Sequence, residues 1–276
     1  MIVDWLSFTV EVEPVEEFSH AEKKMRHELW RVIQDENPVL AQAIKRMDTL
    51  QPGSGRSPYN VSWHTSDGLT VFANPKLPHA LVEFSGKGCA WLRSQHMFTG
   101  MLAFAEQRIT RLDLAIDLPG VTPSQIVGEG FSGRFRSTSD IRSETGHTIY
   151  IGSTKSDRYA RVYKYSKPHP RHRLCRIEAV HRAKYARDVA RDILDKGTDQ
   201  AGRERIAAYK FEHEDVKAFV DGAKPPPTTP IEKDSAKTER WLIAQAAPAF
   251  RKLVMSGVIG DPIDWLNNHF LQHPGD

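Results

Sequence analysis

The stretch from Ile109 to Asp117 places the strongest constraint on the fold, because its apolar and polar residues alternate with the period of a β-strand. Successive side chains of a strand point to opposite faces. One face of this strand carries Leu112, Leu114 and Ile116, and the other carries Arg111, Asp113, Ala115 and Asp117. Two carboxylates on one face are typical of a cation site and also of a pair of surface acids.

Two later segments extend the same pattern. The segment Tyr159–Tyr165 places Tyr159, Arg161, Tyr163 and Tyr165 on one strand face, and the segment Leu174–Ala179 does the same for Arg176 and Glu178. Acids, arginines and a tyrosine on three neighbouring strands indicate a site for phosphodiester chemistry. The alternatives are solvated acids, packing tyrosines and a cross-strand ion pair of Arg176 with Glu178, which would contribute little to stability.

The composition is that of a globular protein, with 39% hydrophobic and 26% charged residues among 276. No apolar run approaches the roughly 20 residues of a membrane span, and no signal peptide is apparent at the N-terminus. Cys89 and Cys175 are too few for a disulfide framework or a structural zinc site. We therefore expect a cytoplasmic protein.

The net charge is only +3, but the charge is unevenly distributed. Residues 152–187 hold eleven lysines and arginines against two acids, whereas residues 1–50 hold six against ten. The basic block also contains four tyrosines, a combination typical of a polyanion-binding surface. A solvated basic face is the alternative interpretation.

Alternation predicts strands at Ile2–Val12, Tyr59–His64, Leu69–Ala73, Ala80–Phe84, Ile109–Asp117, Phe135–Ser143, His147–Ile151, Tyr159–Tyr165 and Leu174–Ala179. In the first strand Trp5 shares a face with Val3, and Ser66-Asp67-Gly68 is predicted as the turn of a hairpin. The stretch Gln51–Pro58 is predicted as a loop. Helices are predicted at Ser19–Gln34, Cys89–Glu106, Lys184–Leu194, Ser235–Met255 and Pro262–Leu271, with a short one that begins at Thr122.

The order of these elements indicates an α+β fold. Asp4 parallels Asp113 by position, and Glu83 parallels Glu178, so we predict a duplicated β-α-β-β-β-α unit with two antiparallel sheets and helices. The predicted first domain, which carries the candidate site, covers residues 1–220, with repeats at 1–107 and 108–195. A proline-rich linker follows at 221–234, and a small helical region at 235–276.

Motifs with a specific chemistry are few. Ser85-Gly-Lys-Gly88 lacks the spacing of a nucleotide-binding phosphate loop, and a tight turn into a helix is the better interpretation. The histidines form neither a His-hydrophobic-His triplet nor a His-Glu-x-x-His motif. Any metal would therefore have carboxylate ligands, which favour Mg²⁺ or Mn²⁺.

Taken in order along the chain, five segments resemble the Rep_trans replication initiators of rolling-circle plasmids, filamentous phages and integrative elements. These segments are Val3–Phe8 with Phe84–Cys89, Thr110–Asp117, His147–Ser153 with Lys155-Ser156, Arg161–Lys164, and Arg176–Glu178 followed by an alanine-rich helix. The resemblance covers residues 1–195. It implies a pair of sheet units similar to the TATA-binding-protein fold.

The resemblance also implies an activity, which is cutting and rejoining one strand at a replication origin through a 5′-phosphotyrosine intermediate. Tyr163 matches the nucleophile, and the alternative nucleophile is Tyr165 because lysine rather than an acid or amide follows Tyr163. Asp113, Asp117 and Glu178 match the metal-binding acids, and Arg161 and Arg176 match the flanking basic residues. We expect further DNA contacts from Lys155, Arg158, Lys164, Lys167, Arg171 and Arg173.

The expected cofactor is Mg²⁺ or Mn²⁺ and the expected partner is origin DNA, with a host helicase and polymerase as further partners. A homodimer is compatible with the resemblance, and the expected location is the cytoplasm of a bacterial host. Two other functions stay open at this point: a non-catalytic DNA-binding regulator on a degenerate initiator fold, and a metal-dependent phosphodiesterase of small nucleotides.

Overall fold

The computed structural model describes residues 1–14, 27, 31, 35, 38–47, 49–128, 137–167, 169–226 and 247–266. The chain divides into two compact units, Met1–Pro226 and Pro227–Asp276. Most of the predicted helix from Ser19 to Gln34 and most of the predicted linker at 221–234 lie outside the described residues.

The first unit is built on one antiparallel sheet of ten strands, in the order β2-β3-β4-β5-β1-β6-β10-β9-β8-β7. The strands are β1 Ile2–Glu11, β2 Gln51–Arg56, β3 Tyr59–His64, β4 Leu69–Ala73, β5 His79–Ser85, β6 Ile109–Pro119, β7 Thr138–Ser143, β8 Gly146–Ile151, β9 Arg158–Tyr165 and β10 Leu174–Arg182. The prediction of two sheets is wrong, because β1 and β6 pair directly and join the two halves.

The two halves of the sheet have the same strand order. In each half the first strand pairs with the last one, and the remaining strands follow in reverse order to the edge. The first half has one strand more than predicted, since Gln51–Arg56 is a strand and not a loop. Its glycines and Pro52 are tolerated because it is an edge strand with mostly exposed side chains.

Helices cover one face of the sheet. In the first unit they are α1 Pro38–Arg46, α2 Gly86–Ser94, α3 Phe98–Ala105, α4 Pro123–Val127, α5 Ala183–Lys196, α6 Thr198–Ala207 and α7 Glu214–Val220, with a 3₁₀ turn at Glu106–Arg108. The apolar residues predicted for β6, such as Leu112 and Ile116, are buried under this layer. Burial of such side chains supplies the main driving force for folding, at roughly 25 cal/mol per Å².

Most local predictions are confirmed, and the differences are among the helices. The hairpin around Ser66-Asp67-Gly68 forms, and Thr122 begins α4 with a capping box. The predicted helix from Cys89 to Glu106 is two helices, because His96 between them has a left-handed backbone with φ 57°. Helices α1, α6 and α7 were not predicted.

The second unit contains α8 Ala247–Met255 and α9 Pro262–Leu266 among its described residues. The rings of Phe250 and Trp265 are 5.5 Å apart between their centroids, so the two helices pack together. The remaining parts of the helices predicted at Ser235–Met255 and Pro262–Leu271 lie outside the described residues. Among the described helices, none combines the length and apolar composition that a membrane span requires.

Candidate functional site

The face of the sheet opposite the helices is polar at its centre. Strands β6, β10 and β9 are neighbours, and their register places Arg176 between Asp117 and Tyr163. Glu178 lies beside Arg161 in the same register. The structure thus brings the acids, arginines and tyrosine of the predicted site onto one face, because strand alternation turns all of them away from the apolar core.

Glu178 is the centre of this cluster. Its carboxylate accepts hydrogen bonds from Arg161 Nε at 2.9 Å and from Arg161 Nη2 at 2.6 Å. The Tyr163 hydroxyl donates to the same carboxylate at 3.2 Å. Only 1% of Glu178 is exposed, so a buried carboxylate holds both the guanidinium and the phenol in fixed positions.

Asp113 lies next to Glu178, and the two carboxyl groups are hydrogen-bonded. Burial raises the pKa of Asp113 well above its usual range, and the charge of Glu178 raises it further, although a fork of hydrogen bonds from Arg111 opposes both effects. Burial also acts to raise the pKa of Glu178, but hydrogen bonds from Arg161 and Asp113 hold it below its usual range. Of the two carboxyl groups, Glu178 therefore favours the ionised form more strongly than Asp113 does.

Asp117 lies apart from this pair. Both of its carboxylate oxygens accept from Arg176, each at 2.6 Å, and Arg176 Nη1 donates to Asp4 at 2.6 Å. Gly86, which follows β5, lies so close to the Asp4 side chain that a Cβ atom at this position would clash with it. This explains the glycine of Ser85-Gly-Lys-Gly88, which forms a turn into α2 as predicted.

The two candidate tyrosines differ in their surroundings. Burial, followed by the negative charge of Glu178, raises the pKa of Tyr163, so its phenol is protonated and donates to that carboxylate. The ring of Tyr165 stacks on His169 at 3.7 Å and meets the ring of Tyr163 edge-on at 5.4 Å. In the described part of the chain, no hydrogen bond joins the Tyr165 hydroxyl to a carboxylate.

The described residues contain no group of three His, Cys, Asp or Glu side chains arranged to hold a metal ion. The residues that fit a divalent cation are Asp113 and Glu178, since two adjacent buried carboxyl groups carry oxygen ligands of the right kind. Asp117 does not join them, because it lies four residues further along β6, roughly 13 Å from Asp113 at about 3.3 Å per residue. The oxygens of all three acids accept from arginines, which a bound cation would have to displace in part. The metal ligands therefore stay a prediction.

The basic residues lie at both ends of β9. Lys155 precedes the strand and Arg158 begins it, with its guanidinium 4.9 Å from the centroid of the Tyr185 ring. Lys167, Arg171 and Arg173 are exposed in the turn between β9 and β10. This agrees with the expected placement on flanking turns.

Lys164 is placed differently from the rest of the basic block. It pairs with Cys175 and His147, so its side chain points away from Tyr163 toward the helix-covered face, where Nζ lies 3.4 Å from the Val121 carbonyl. There it lines an open cavity of about 450 Å³.

Two residues of the polar face have roles that the sequence did not predict. Alternation placed Arg111 beside Asp113 without a role, and in the structure it binds Asp113 and lies over the Trp5 ring. Trp5 was predicted on the apolar face with Val3. An irregularity in the pairing between Val3 and Trp5 turns Trp5 to the polar side, opposite Asp113, and this irregularity has no signal in the sequence.

Comparisons with known proteins show a likeness of fold. No protein-family model matches the chain, and no curated protein sequence matches it. A solved structure of a rolling circle replication initiator protein from Geobacillus stearothermophilus matches with a TM-score of 0.50, over 85% of this chain and 89% of that one. The fold is similar to that of a rolling-circle replication initiator.

The identity between the chain and this initiator is 18%, so the likeness concerns the fold. A second structure, DynU16 from the dynemicin biosynthetic locus, has a TM-score of 0.21, which supports no comparison.

Proposed function

We propose that the chain is a replication initiator of the rolling-circle type, which nicks and rejoins one DNA strand through Tyr163. The observation that carries the proposal is the hydrogen bond from the Tyr163 hydroxyl to Glu178, within a cluster of arginines, on a fold similar to that of an initiator. In this function the partner is origin DNA, and a host helicase and polymerase act on the nicked product.

The chemistry follows from the residues around Tyr163. A phenol is a poor nucleophile near neutral pH, and it needs a base that takes its proton during attack. Glu178 already accepts that proton in a hydrogen bond and is the ionised member of its pair with Asp113. The Tyr163 oxygen forms a bond to phosphorus, the bond from phosphorus to the 3′-oxygen breaks, and the 3′-oxygen leaves and takes up a proton.

Positive charge around the reacting phosphate would come from Arg161 and Arg176. Each is held by a carboxylate in a bidentate pair, so its orientation is fixed before DNA binds. We assign Asp117 to the positioning of Arg176. A divalent cation held by Asp113 and Glu178, Mg²⁺ or Mn²⁺, would neutralise charge that develops on the phosphate oxygens.

The reverse reaction rejoins the strand. The 3′-hydroxyl attacks the phosphotyrosine, the bond to Tyr163 breaks, and the phenol recovers its proton. Because the covalent intermediate keeps the energy of the phosphodiester bond, no further cofactor is needed for rejoining.

The test is transfer of label from DNA to protein. Single-stranded oligonucleotides are taken from the DNA beside the coding sequence. Each is labelled downstream of the candidate cut, in the fragment whose 5′-phosphate would join the tyrosine. They are incubated with the protein and Mg²⁺ and separated on a denaturing gel. The proposal expects a labelled protein band that chelator removes or weakens. Tight DNA binding without any covalent band would instead indicate a non-catalytic DNA-binding regulator. One observation favours that second function: every carboxylate of the cluster is already paired with an arginine.

A further inference from the structure

Three sets of side chains on the polar face share one arrangement. In each set a buried carboxylate binds an arginine, and the guanidinium of that arginine lies against an aromatic ring. The sets are Glu83–Arg56–Phe72, Asp113–Arg111–Trp5 and Glu178–Arg161–Tyr163. The distances from the guanidinium carbon to the ring centroid are 4.3, 4.8 and 5.3 Å.

Each set is layered in the same direction. The carboxylate side chains of Glu83, Asp113 and Glu178 are 8%, 0% and 1% exposed, whereas those of their arginines are 50%, 24% and 30% exposed. Acids therefore lie underneath and cations face the solvent. The carboxylates fix the planes of the guanidinium groups, and a negatively charged chain approaching the face meets positive charge first.

The three rings follow one another across the sheet. Phe72 is on β4, Trp5 on β1 and Tyr163 on β9. Phe72 shares a strand face with Thr70, which pairs with Glu83, and Trp5 pairs with Asp113, so these rings lie on the face that carries the acids. With about 4.8 Å between neighbouring strands and an offset of about four residues along the strands at each step, the rings lie roughly 16 and 20 Å apart on a diagonal across the sheet. All three are partly exposed.

Flat rings and guanidinium planes bind the faces of nucleic-acid bases by stacking. In a duplex these faces are covered by neighbouring bases, whereas a single strand leaves them open. A buried ion pair needs no aromatic neighbour to be satisfied, so the repetition of the ring in all three sets indicates a ligand with several flat groups in a row.

We propose that the polar face is a stacking track for single-stranded DNA, in which Phe72 and Arg56 hold bases on the first half of the sheet, away from Tyr163. The choice of DNA rests on the proposed function. The strand would cross β4, β1 and β9 in turn, so that binding on the first half helps to present the scissile phosphate to the second.

The test measures the affinity of the full chain for a fluorescent oligodeoxythymidine by anisotropy, in chelator so that no cleavage occurs. Phe72→Leu removes the ring at similar volume, and Arg56→Lys keeps the charge but removes the plane. Each variant is expected to bind the single strand about 5- to 150-fold more weakly, the range for losing one stacked base. Binding of a duplex is expected to change less than twofold.

The matched control is Arg108→Ala. Arg108 also lies over an aromatic ring, 5.9 Å from the centroid of Phe104, but this ring belongs to the helix layer. Single-strand affinity should be unchanged in this variant. Wild-type affinity in both Phe72→Leu and Arg56→Lys, with cooperative thermal unfolding retained, would overturn the proposal. If Phe72→Leu does not fold, Arg56→Lys carries the test, because Arg56 is half exposed.

Failure of the track and failure of the proposed function give different results. A normal covalent adduct together with undiminished single-strand binding by both variants would remove the track and leave the nicking function. Loss of single-strand binding in both variants, in a protein that never forms an adduct, would support the track and remove the nicking function.

Discussion

Glu178 is the residue on which the account of catalysis depends most. It is the ionised carboxylate that accepts from the Tyr163 hydroxyl, and it also orients Arg161. The pKa of its neighbour Asp113 is raised, because burial and the charge of Glu178 both disfavour a second ionised carboxylate. Asp113 and Glu178 each follow an arginine by two residues in the sequence, but their surroundings give them different roles.

Glu178→Gln is expected to lower the rate of adduct formation by roughly 10²- to 10⁴-fold, the usual contribution of a general base. The amide keeps the shape but cannot take the proton of Tyr163. The rate is measured by quenched-gel assay at saturating DNA. Glu83→Gln is the control, since it changes a carboxylate of the same face that binds Arg56 and not Tyr163. Equal losses in both variants would contradict the role of Glu178.

The buried imidazole of His181 is expected to make the free energy of unfolding depend on pH. Burial and, to a smaller extent, the charge of Arg205 lower the pKa of His181 to about 3, although its hydrogen bond with the Leu112 carbonyl opposes them. The unfolded chain takes up a proton on this histidine near pH 6.5 and the folded chain does not. The stability contribution is therefore present above pH 6.5 and lost as the pH falls toward 3, at up to roughly 1.4 kcal/mol per pH unit.

The measurement is the free energy of unfolding in urea between pH 7 and pH 4 for the wild type and for His181→Asn, which keeps a donor for the Leu112 carbonyl but does not titrate. The variant should lose stability less steeply as the pH falls. Parallel curves for the two proteins would show that His181 is protonated in the folded state.

At the scale of elements, alternation and turn residues predicted much of what the structure contains. The strands β3 and β4 have the predicted bounds, and the three strands of the candidate site are neighbours. The edge strand at Gln51–Arg56 was missed because its Gly and Pro residues are typical of loops and only its position at the sheet edge permits them. The direct pairing of β1 with β6 depends on contacts far apart in sequence, which no local pattern shows.

The site was predictable to a similar extent. Alternation alone gives the shared face of Asp113, Arg176 and Tyr163, and it also places Lys164 on the opposite face from Tyr163. The separation of Asp117 from Asp113 follows from the four residues of strand between them. The fork that pairs Asp117 with Arg176 was not predictable, because it depends on a contact between distant parts of the chain.

The turn between β9 and β10 supplies a prediction at this scale. Arg171 and Arg173 are exposed there, so each can contact a phosphate without disturbing the fold. Replacing both by alanine should weaken binding to specific and random DNA alike. It should also lower the slope of log affinity against log salt by roughly 0.7–0.9 per lost contact. The control is Lys45→Ala with Arg46→Ala, two exposed cations in the last turn of α1.

The measurement is a set of titrations at several salt concentrations with origin and scrambled DNA. A variant of the β9–β10 turn that loses only origin binding at an unchanged slope would show that these arginines recognise bases.

At the scale of the whole molecule, the unit Met1–Pro226 contains the ten-stranded sheet and two clusters of buried apolar side chains, one around Leu112 and one around Ile177. A chain ending at Pro226 should therefore unfold cooperatively and still form the covalent adduct with single-stranded DNA. The measurements are thermal unfolding and the adduct gel, with the full chain as control. A truncated chain that folds but forms no adduct would show that residues 227–276 contribute to the reaction.

The central claim is that Tyr163 attacks DNA, and it rests on the polar face, the fold and the basic turns. The most direct measurement is mass spectrometry of the peptide that carries the nucleotide after adduct formation, together with the adduct yields of Tyr163→Phe and Tyr165→Phe. The account predicts the nucleotide on Tyr163, no adduct with Tyr163→Phe at nearly unchanged DNA affinity, and adduct with Tyr165→Phe. A nucleotide on Tyr165, with adduct retained in Tyr163→Phe, would contradict it.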